Sequence, residues 1–260
     1  MKNKYNYKCQ NVIEIESSSN KSFKKWKSLL TGRGIKKNKL AIVSGEKVIN
    51  ELLNKIPKNI QECIISYKRK YPPFHVSSLI KVFRLNGELF SELDIHGTDY
   101  PLLIVKIPEY KPLSDSVFNE RILLILPFQD PVNVGAVVRS AAAFGVRKIM
   151  LLKETATPFH PKSIRASGAQ VFNVDFIIGP SVFELGDLGI PIVALSTDGV
   201  TIGDFEFPDR FALIAGIEGP GLPCDIKPDF KISIKMEPFV ESLNAAVAVS
   251  IALYEWRKRN

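Results

Sequence analysis

The stretch from Phe211 to Trp256, FALIAGIEGPGLP followed by KISIKMEPFVESLNAAVAVSIALYEW, constrains the fold more than any other. Phe211 to Ala215 is an unbroken apolar run of strand length, the pattern of a strand covered on both faces. It opens into Gly216-Ile217-Glu218-Gly219-Pro220-Gly221, where three glycines permit positive φ and let a ligand approach bare backbone. Lys231 to Met236 predicts a second short strand. A helix follows whose first residues are Glu241, Ser242, Leu243 and Asn244. From Leu243 to Tyr254 only Asn244 and Ser250 are clearly polar. A helix apolar on nearly every side is expected to be buried on nearly every side. It is too short to cross a bilayer, so its surround must be protein. Its alanines allow a second backbone to come close.

The charge is spread unevenly. Residues 1–58 hold 14 Lys and Arg against 4 Asp and Glu, and the other 202 residues hold 21 against 23. The positive excess therefore sits in the first quarter, as in a protein that binds a polyanion. A solvated lysine-rich tail is the plainer reading. The hydrophobic content of 45% suffices for a core in one large or two modest domains. Cys9, Cys63 and Cys224 are few and scattered, which argues against a disulfide framework. His75, His96 and His160 lack metal-ligand spacing, so no metal is expected. No apolar run follows Met1, so no secretory signal is expected and the cytoplasm is the expected compartment.

Taken in order, residues 1–20 are polar and loose. Residues 21–109 form a small α/β unit: a helix over Phe23–Leu30, a basic Gly-containing loop, and a strand over Leu40–Val43. A helix over Gly45–Asn54, a strand over Gln61–Tyr67, a helix over Ser77–Leu85 and a strand over Leu102–Lys106 complete it. Residues 110–119 are a polar linker, and residues 120–260 a second domain opening with the apolar strand Arg121–Leu126. A helix over Val134–Phe144 follows. Further strands at Lys148–Leu152, Val174–Ile178, Ile192–Leu195 and Phe211–Ala215 predict an α/β fold with a parallel sheet.

Five stretches carry possible chemistry. In the first, Asn133 is a helix N-cap candidate and Arg139 stands among Gly135, Ala136, Ala142 and Ala143. That bare surface lets a phosphate or ribose lie against the guanidinium; an ordinary exposed arginine is the alternative. In the second, His160-Pro161-Lys162-Ser163-Ile164-Arg165 places cations at a short helix start, which favours anions, or is a solvated loop. In the third, Leu195-Ser196-Thr197-Asp198-Gly199 ends a strand where α/β sheets bind ligands, or is a plain turn. The fourth, 216–221, lacks the Lys-Ser/Thr of a phosphate loop, and Glu218 would repel phosphate. In the fifth, Ser242 caps a helix, and Asn244 needs a partner if buried.

Three of these stretches together resemble the SpoU (TrmH-like) family of RNA ribose 2′-O-methyltransferases. Asn133-Val134-Gly135 through Arg139 to Phe144-Gly145 is similar to its first motif, Ala215-Gly216-Ile217-Glu218-Gly219-Pro220-Gly221-Leu222 to its second. Ile234-Lys235-Met236 with Glu241-Ser242-Leu243-Asn244 is similar to its third. The likeness spans about residues 120–256. The basic amino-terminal unit, with VSGEKVINELL, resembles the L30e-like RNA-binding domain that many members carry. Two departures stand out: Ile217 replaces a frequent Asn, and Lys235 replaces the Pro of Ile-Pro-Met.

The resemblance implies an α/β catalytic domain with a carboxyl-terminal trefoil knot of the SPOUT type. It implies S-adenosyl-L-methionine held by the backbone of Gly216, Ile234 and Leu243 and lined by Leu195, Ser196, Thr197, Ile217 and Met236. It implies a homodimer through the knot and the last helix. Arg139 would clamp phosphate and the developing alkoxide, since guanidinium rarely gives up a proton. Asn133 and Asn244 would orient the ribose, and Glu218 and Ser242 would fix the loop and the arginine. Lys24, Lys25, Lys27, Arg33, Lys36, Lys37, Lys162 and Arg165 would hold RNA, with ribosomal RNA favoured. Transfer RNA, an antibiotic-resistance role and a non-catalytic RNA-binding protein are the alternatives. A Rossmann-type enzyme is disfavoured by the missing glycine fingerprint.

Overall fold

A computed structural model describes residues 12–216 and 226–259. The chain divides into two units: 1–108 with 159–169, and 109–158 with 170–260.

The first unit is a mixed five-stranded sheet with helices. Its elements are β1 (Val12–Ile15), α1 (Lys21–Ser28), α2 (Gly32–Asn38), β2 (Leu40–Val43), α3 (Glu46–Lys55), β3 (Ile60–Ser66), β4 (Lys81–Leu85), α4 (Gly87–Leu93) and β5 (Leu102–Lys106). The strand order is β1-β4-β3-β5-β2. β4 lies parallel to both β1 and β3, whereas β5 runs antiparallel to β3 and β2. Trp26 and Phe23 of α1 are fully buried, and Trp26 meets Phe83 edge-on at 4.9 Å. The Trp26 indole donates to Glu62 at 2.6 Å.

Four expectations fail here. Residues 12–15 are not loose: they pair with β4. The region expected as a helix over Ser77–Leu85 holds strand β4, because KVFRL is β-branched and aromatic and finds a partner on each side. The basic loop after Leu30 is the helix α2. Thr31 caps it by accepting from the Gly34 amide. A Cβ on Gly34 would lie 1.9 Å from the Ser28 carbonyl oxygen, so only glycine lets α2 pack so close to the end of α1. Finally, the segment 159–169 belongs to this unit, not the second. It contains α6 (Pro161–Ser167), capped by His160.

The second unit is a seven-stranded sheet in which every pairing is parallel. Its elements are β6 (Lys111–Pro112), β7 (Ile122–Leu126), α5 (Pro131–Ala143), β8 (Lys148–Leu151), β9 (Asp175–Ile178), β10 (Ile192–Thr201), β11 (Phe211–Ile214), β12 (Phe230–Ser233) and α7 (Ala245–Lys258). The order is β12-β10-β11-β7-β8-β9-β6. The expected linker at 110–119 is in part an edge strand, since Lys111 and Pro112 pair with Ile177 and Ile178 of β9. β7, ILLIL, and β11, FALI, are buried at every position, as their unbroken apolar runs require. Leu123, Ile125, Ala212, Ile214, Ala194 and Met150 form one continuous core.

Candidate active site

The parallel register puts the carboxyl ends of the central strands at one edge. Ala194 is level with Ile214, Leu195 with Ile232, and Ile214 with Ile125. Thus Ser196, Gly216, Ile234 and the loop into α5 all leave the sheet on the same side. This is the edge where open α/β sheets bind ligands.

β10 does not end at Leu195 as expected. Ile232 is level with Leu195 and again with Val200, so residues 196–199 loop out and the strand then resumes. A Cβ on Gly199 would sit 2.5 Å from the Ile232 nitrogen, so the loop returns hard against the β12 backbone. The loop is clamped. Lys231 Nζ reaches Asp198 at 2.9 Å, Ser196 Oγ donates to the same carboxylate, and Ser233 Oγ donates to the Gly199 carbonyl at 2.8 Å. Lys231 first, and Ser196 second, hold the Asp198 carboxyl down to about 2. Leu195 and Ser196 are half-buried and Thr197 is exposed, so the loop presents one side to solvent. Asp198-Gly199 is therefore not a simple turn.

The helix α5 begins at Pro131. Asp130 is its N-cap, accepting from the Val132 amide at 2.9 Å, and Asn133 lies one turn inside, not at the cap. The pyrrolidine at the first helical position costs nothing there, which moves the start forward from the expected Val134. α7 begins later than expected, at Ala245. Its N-cap is Asn244, whose Oδ1 accepts from the Ala246 and Val247 amides. Ser242 is exposed in the irregular stretch before α7, whose N-cap is Asn244. Two asparagines from distant motifs meet: Asn244 Nδ2 donates to Asn133 Oδ1 at 3.1 Å. One helical turn and more further on, the Ser140 and Ser250 hydroxyls lie 2.7 Å apart. At the far end Arg259 donates to the Ile202, Gly203 and Phe205 carbonyls of the turn after β10. α7 is thus pinned at both ends and its middle.

Arg139 is exposed and makes no ion pair or hydrogen bond among the described residues. It lies six residues from Asn133, about 120° round the helix, so it stands on the solvent-facing side of α5. The structure joins Asn133 to Asn244; Arg139 stays outside that contact. Ile234, Leu243 and Met236 are half-buried. Ile217 and Glu218 lie outside the described residues. The last helix is not buried all round within one chain: Val247 is 47% and Tyr254 53% exposed. Together with Phe144 and Ala136 they line an open groove of about 440 Å³ between α5 and α7.

Of the basic residues, Lys24, Arg33, Lys36, Lys37, Lys162 and Arg165 are exposed. Lys25 is half-buried and committed to Glu62 at 2.8 Å, whereas Lys27 is exposed and meets Glu92 at 2.6 Å in a surface pair that a phosphate can displace. His160 Nε2 donates to the Leu30 carbonyl at 3.1 Å, and His96 Nε2 to that of Pro161 at 3.3 Å. Lys162 and Arg165 therefore sit beside the α1–α2 turn, on the same unit as Arg33, Lys36 and Lys37. Sequence reasoning put them in another domain, and no local signal marks the packing. Among the described residues no cluster of metal-ligating side chains and no membrane-spanning helix occurs.

A parallel sheet with a clamped loop at its carboxyl edge and an asparagine pair joining α5 to α7 defines an α/β protein. Residues 120–254 match the SpoU rRNA Methylase family. The chain belongs to that family. It is 41% identical over 249 residues to "Ribosomal RNA small subunit methyltransferase G 2" of Syntrophobacter fumaroxidans, covering 94% of this chain and 49% of that protein. The chain thus spans about half the length of that relative. It is 28% identical to the "23S rRNA (guanosine(2553)-2'-O)-methyltransferase RlmP" of Bacillus subtilis, covering 94% of this chain and 99% of that one. Its fold is that of the AdoMet-bound rRNA methyltransferase from Sinorhizobium meliloti, with a TM-score of 0.75 at 21% identity over 95% of this chain and 98% of the other. It is equally that of the SpoU methyltransferase AviRb from Streptomyces viridochromogenes in complex with AdoMet, at 0.74 and 22%, over 92% and 98%.

Proposed function

We propose that the chain is an S-adenosyl-L-methionine-dependent RNA methyltransferase acting on a ribose 2′-hydroxyl, ribosomal RNA being the favoured substrate. The observation that carries this reading is the Asn133–Asn244 bond, which joins the start of α5, the helix of Arg139, to the start of α7 and so brings the first and third motifs together. The residues fit the cofactor chemically. Backbone amides and carbonyls at strand ends, half-buried Leu195 and Ser196 and the exposed Thr197 suit a nucleoside with a zwitterionic tail. Bound there, S-adenosyl-L-methionine supplies the methyl group.

The residues would then act on the hydroxyl. A neutral 2′-hydroxyl is a poor nucleophile; as its oxygen takes the methyl carbon, the donor's carbon–sulfur bond would break and the hydroxyl proton would pass to solvent. Arg139, exposed and unpaired among the described residues, holds a backbone phosphate and stabilises charge developing on that oxygen. Asn133 and Asn244 orient the ribose, and positioning supplies a large part of the rate. Ser242 and Glu218 fix the glycine-rich loop and the arginine. Lys24, Arg33, Lys36, Lys37, Lys162 and Arg165 bind RNA phosphates from the first unit, an L30e-like domain. The open groove between α5 and α7 takes the same groove of a second copy, giving a homodimer. A carboxyl-terminal trefoil knot and a cytoplasmic location belong to the same reading. The relatives' names point to different ribosomal subunits, so the target nucleotide is a matter for mapping of 2′-O-methyl sites with and without the gene.

The test is Arg139→Ala. Methyl transfer to ribosomal RNA should be lost while calorimetry shows cofactor affinity unchanged. Activity retained in that variant removes the arginine from the mechanism.

A further inference from the structure

Charge averaged over the last 202 residues hides a local excess. From Cys63 to Gly87 there are five cations, Lys68, Arg69, Lys70, Lys81 and Arg84, and no acidic residue. Three of them fall in Tyr67-Lys68-Arg69-Lys70-Tyr71, directly after β3. We propose that this segment is a single-stranded RNA contact, with Tyr67 stacking on an unpaired base and Lys68 and Lys70 holding the flanking phosphates. The proposal rests on the RNA-methyltransferase reading for the identity of the polyanion, and it uses none of the residues placed in that site.

The geometry supports a platform. The Tyr67 amide donates to the Leu85 carbonyl at 2.8 Å, which fixes the residue to the end of the β3–β4 pair. Its ring lies against Gly87, where an added Cβ would be 3.1 Å from Cε1. One flank of the ring is thus seated on backbone, yet the residue remains 60% exposed. A tyrosine held this way presents area at small entropic cost, and base–aromatic stacking is indifferent to sequence.

The cations are available. Lys68 meets Asp99 at 3.3 Å, with both side chains more than half exposed. An exposed pair of this kind holds weakly, and a phosphate displaces it. Lys70 is exposed, its ammonium 5.8 Å from the Tyr71 ring centroid. Arg69 plays another part: it donates to the Asp99 carbonyl at 3.1 Å and lies 5.7 Å from the Tyr100 ring centroid, bracing the segment. Duplex RNA is a poorer match, because its stacked bases offer nothing to Tyr67.

The experiment is fluorescence anisotropy of the full chain with a labelled single-stranded RNA of about ten nucleotides, within the usual site size, across a salt series. Tyr67→Ala should weaken binding by about 5- to 150-fold, the range of one lost stacking contact. Tyr67→Phe should bind like the parent chain. Lys68→Gln with Lys70→Gln should reduce the slope of log affinity against log salt by about 1.4, two phosphates on a single strand. Parent-like binding by Tyr67→Ala overturns the proposal. So does an equal loss with a duplex of the same length, which would mean a backbone or shape contact, or an equal loss with an acidic peptide. Calorimetry with S-adenosyl-L-methionine on the same samples keeps the two readings apart. Failure of the parent chain to bind cofactor sinks the methyltransferase reading and leaves the Tyr67 result legible.

Discussion

Asn244 has two separable duties, and substitution can divide them. As N-cap of α7 its Oδ1 accepts from the Ala246 amide at 2.9 Å and the Val247 amide at 3.3 Å. As a tether its Nδ2 donates to Asn133 at 3.1 Å. Removal of a cap costs about 1 kcal/mol, and an exposed neutral hydrogen bond adds about 0.5 kcal/mol. Asn244→Ala should therefore cost about 1.5 kcal/mol and lower the thermal midpoint by about 3–6 °C. Asn133→Ala removes the tether and leaves the α7 cap in place, so it should cost at least about 0.5 kcal/mol. The double variant should cost less than the sum, by the shared tether energy. Asn244→Asp is the informative change. Aspartate caps as well as asparagine, and the Asn133 amide can turn to donate to it. Stability should stay near the parent value. Methyl transfer should nevertheless fall at least about tenfold, or about 1.4 kcal/mol, because a carboxylate repels the phosphate that Arg139 attracts. Scanning calorimetry and a tritiated-methyl transfer assay read the two effects. An additive double variant refutes the pairing, and an active Asn244→Asp refutes the role of this position in the reaction.

Gly199→Ala should drive β10 and β12 apart, since its Cβ would lie 2.5 Å from β12 backbone atoms. The expected cost is about 1–3 kcal/mol, with weakened cofactor binding by calorimetry; unchanged affinity would separate the 196–199 loop from the cofactor. Val247→Asp puts a charge into the open groove beside Tyr254 and should shift the chain to monomer in sedimentation velocity, while a parent-like sedimentation profile would place the dimer contact elsewhere. His96 gives a pH signature. Burial pulls its pKa below the ordinary 6.5, so the unfolded chain takes the proton first as pH falls. Its contribution is fully present above about pH 6.5 and lost as pH drops towards the folded value. The thermal midpoint of the first unit should fall through that window, and His96→Gln should remove this component.

The sequence was most legible where one strand suffices to declare itself. β7 and β11 are apolar at every position, and both are buried at every position. It was least legible where partners decide. β4 follows Ser77 and Ser78, which look like helix caps, and becomes a strand only because β1 and β3 flank it. α2 contains Gly32 and Gly34, poor helix formers, and exists because Gly34 fits against the Ser28 carbonyl. The segment 159–169 sits between strands of the second unit in sequence and packs with the first through His160 and His96. Within the site, the motif residues Asn133 and Asn244 were found from sequence, but their bond was not. Its existence depends on where each helix starts, and Pro131 and the cap at Asn244 set both starts.

The last helix shows how an apolar pattern is to be read. Its composition predicts cover on nearly every side, and a single chain leaves Val247 and Tyr254 about half exposed. The covered face, with Ala246, Val249, Leu253 and Trp256 buried, is the one its own unit needs. Ser140 and Ser250 close the seam to α5, so an exchange of α7 between copies would break a bonded pair. The groove bordered by Val247, Phe144 and Tyr254 begins at the Asn133–Asn244 bond. An occupant of that groove would abut the residues proposed to orient the ribose, and assembly and catalysis would then be coupled. If a second copy fills it, Val247→Asp should lower methyl transfer along with dimer content, and raising the protein concentration should restore both together. Recovery of the dimer without activity would break that coupling.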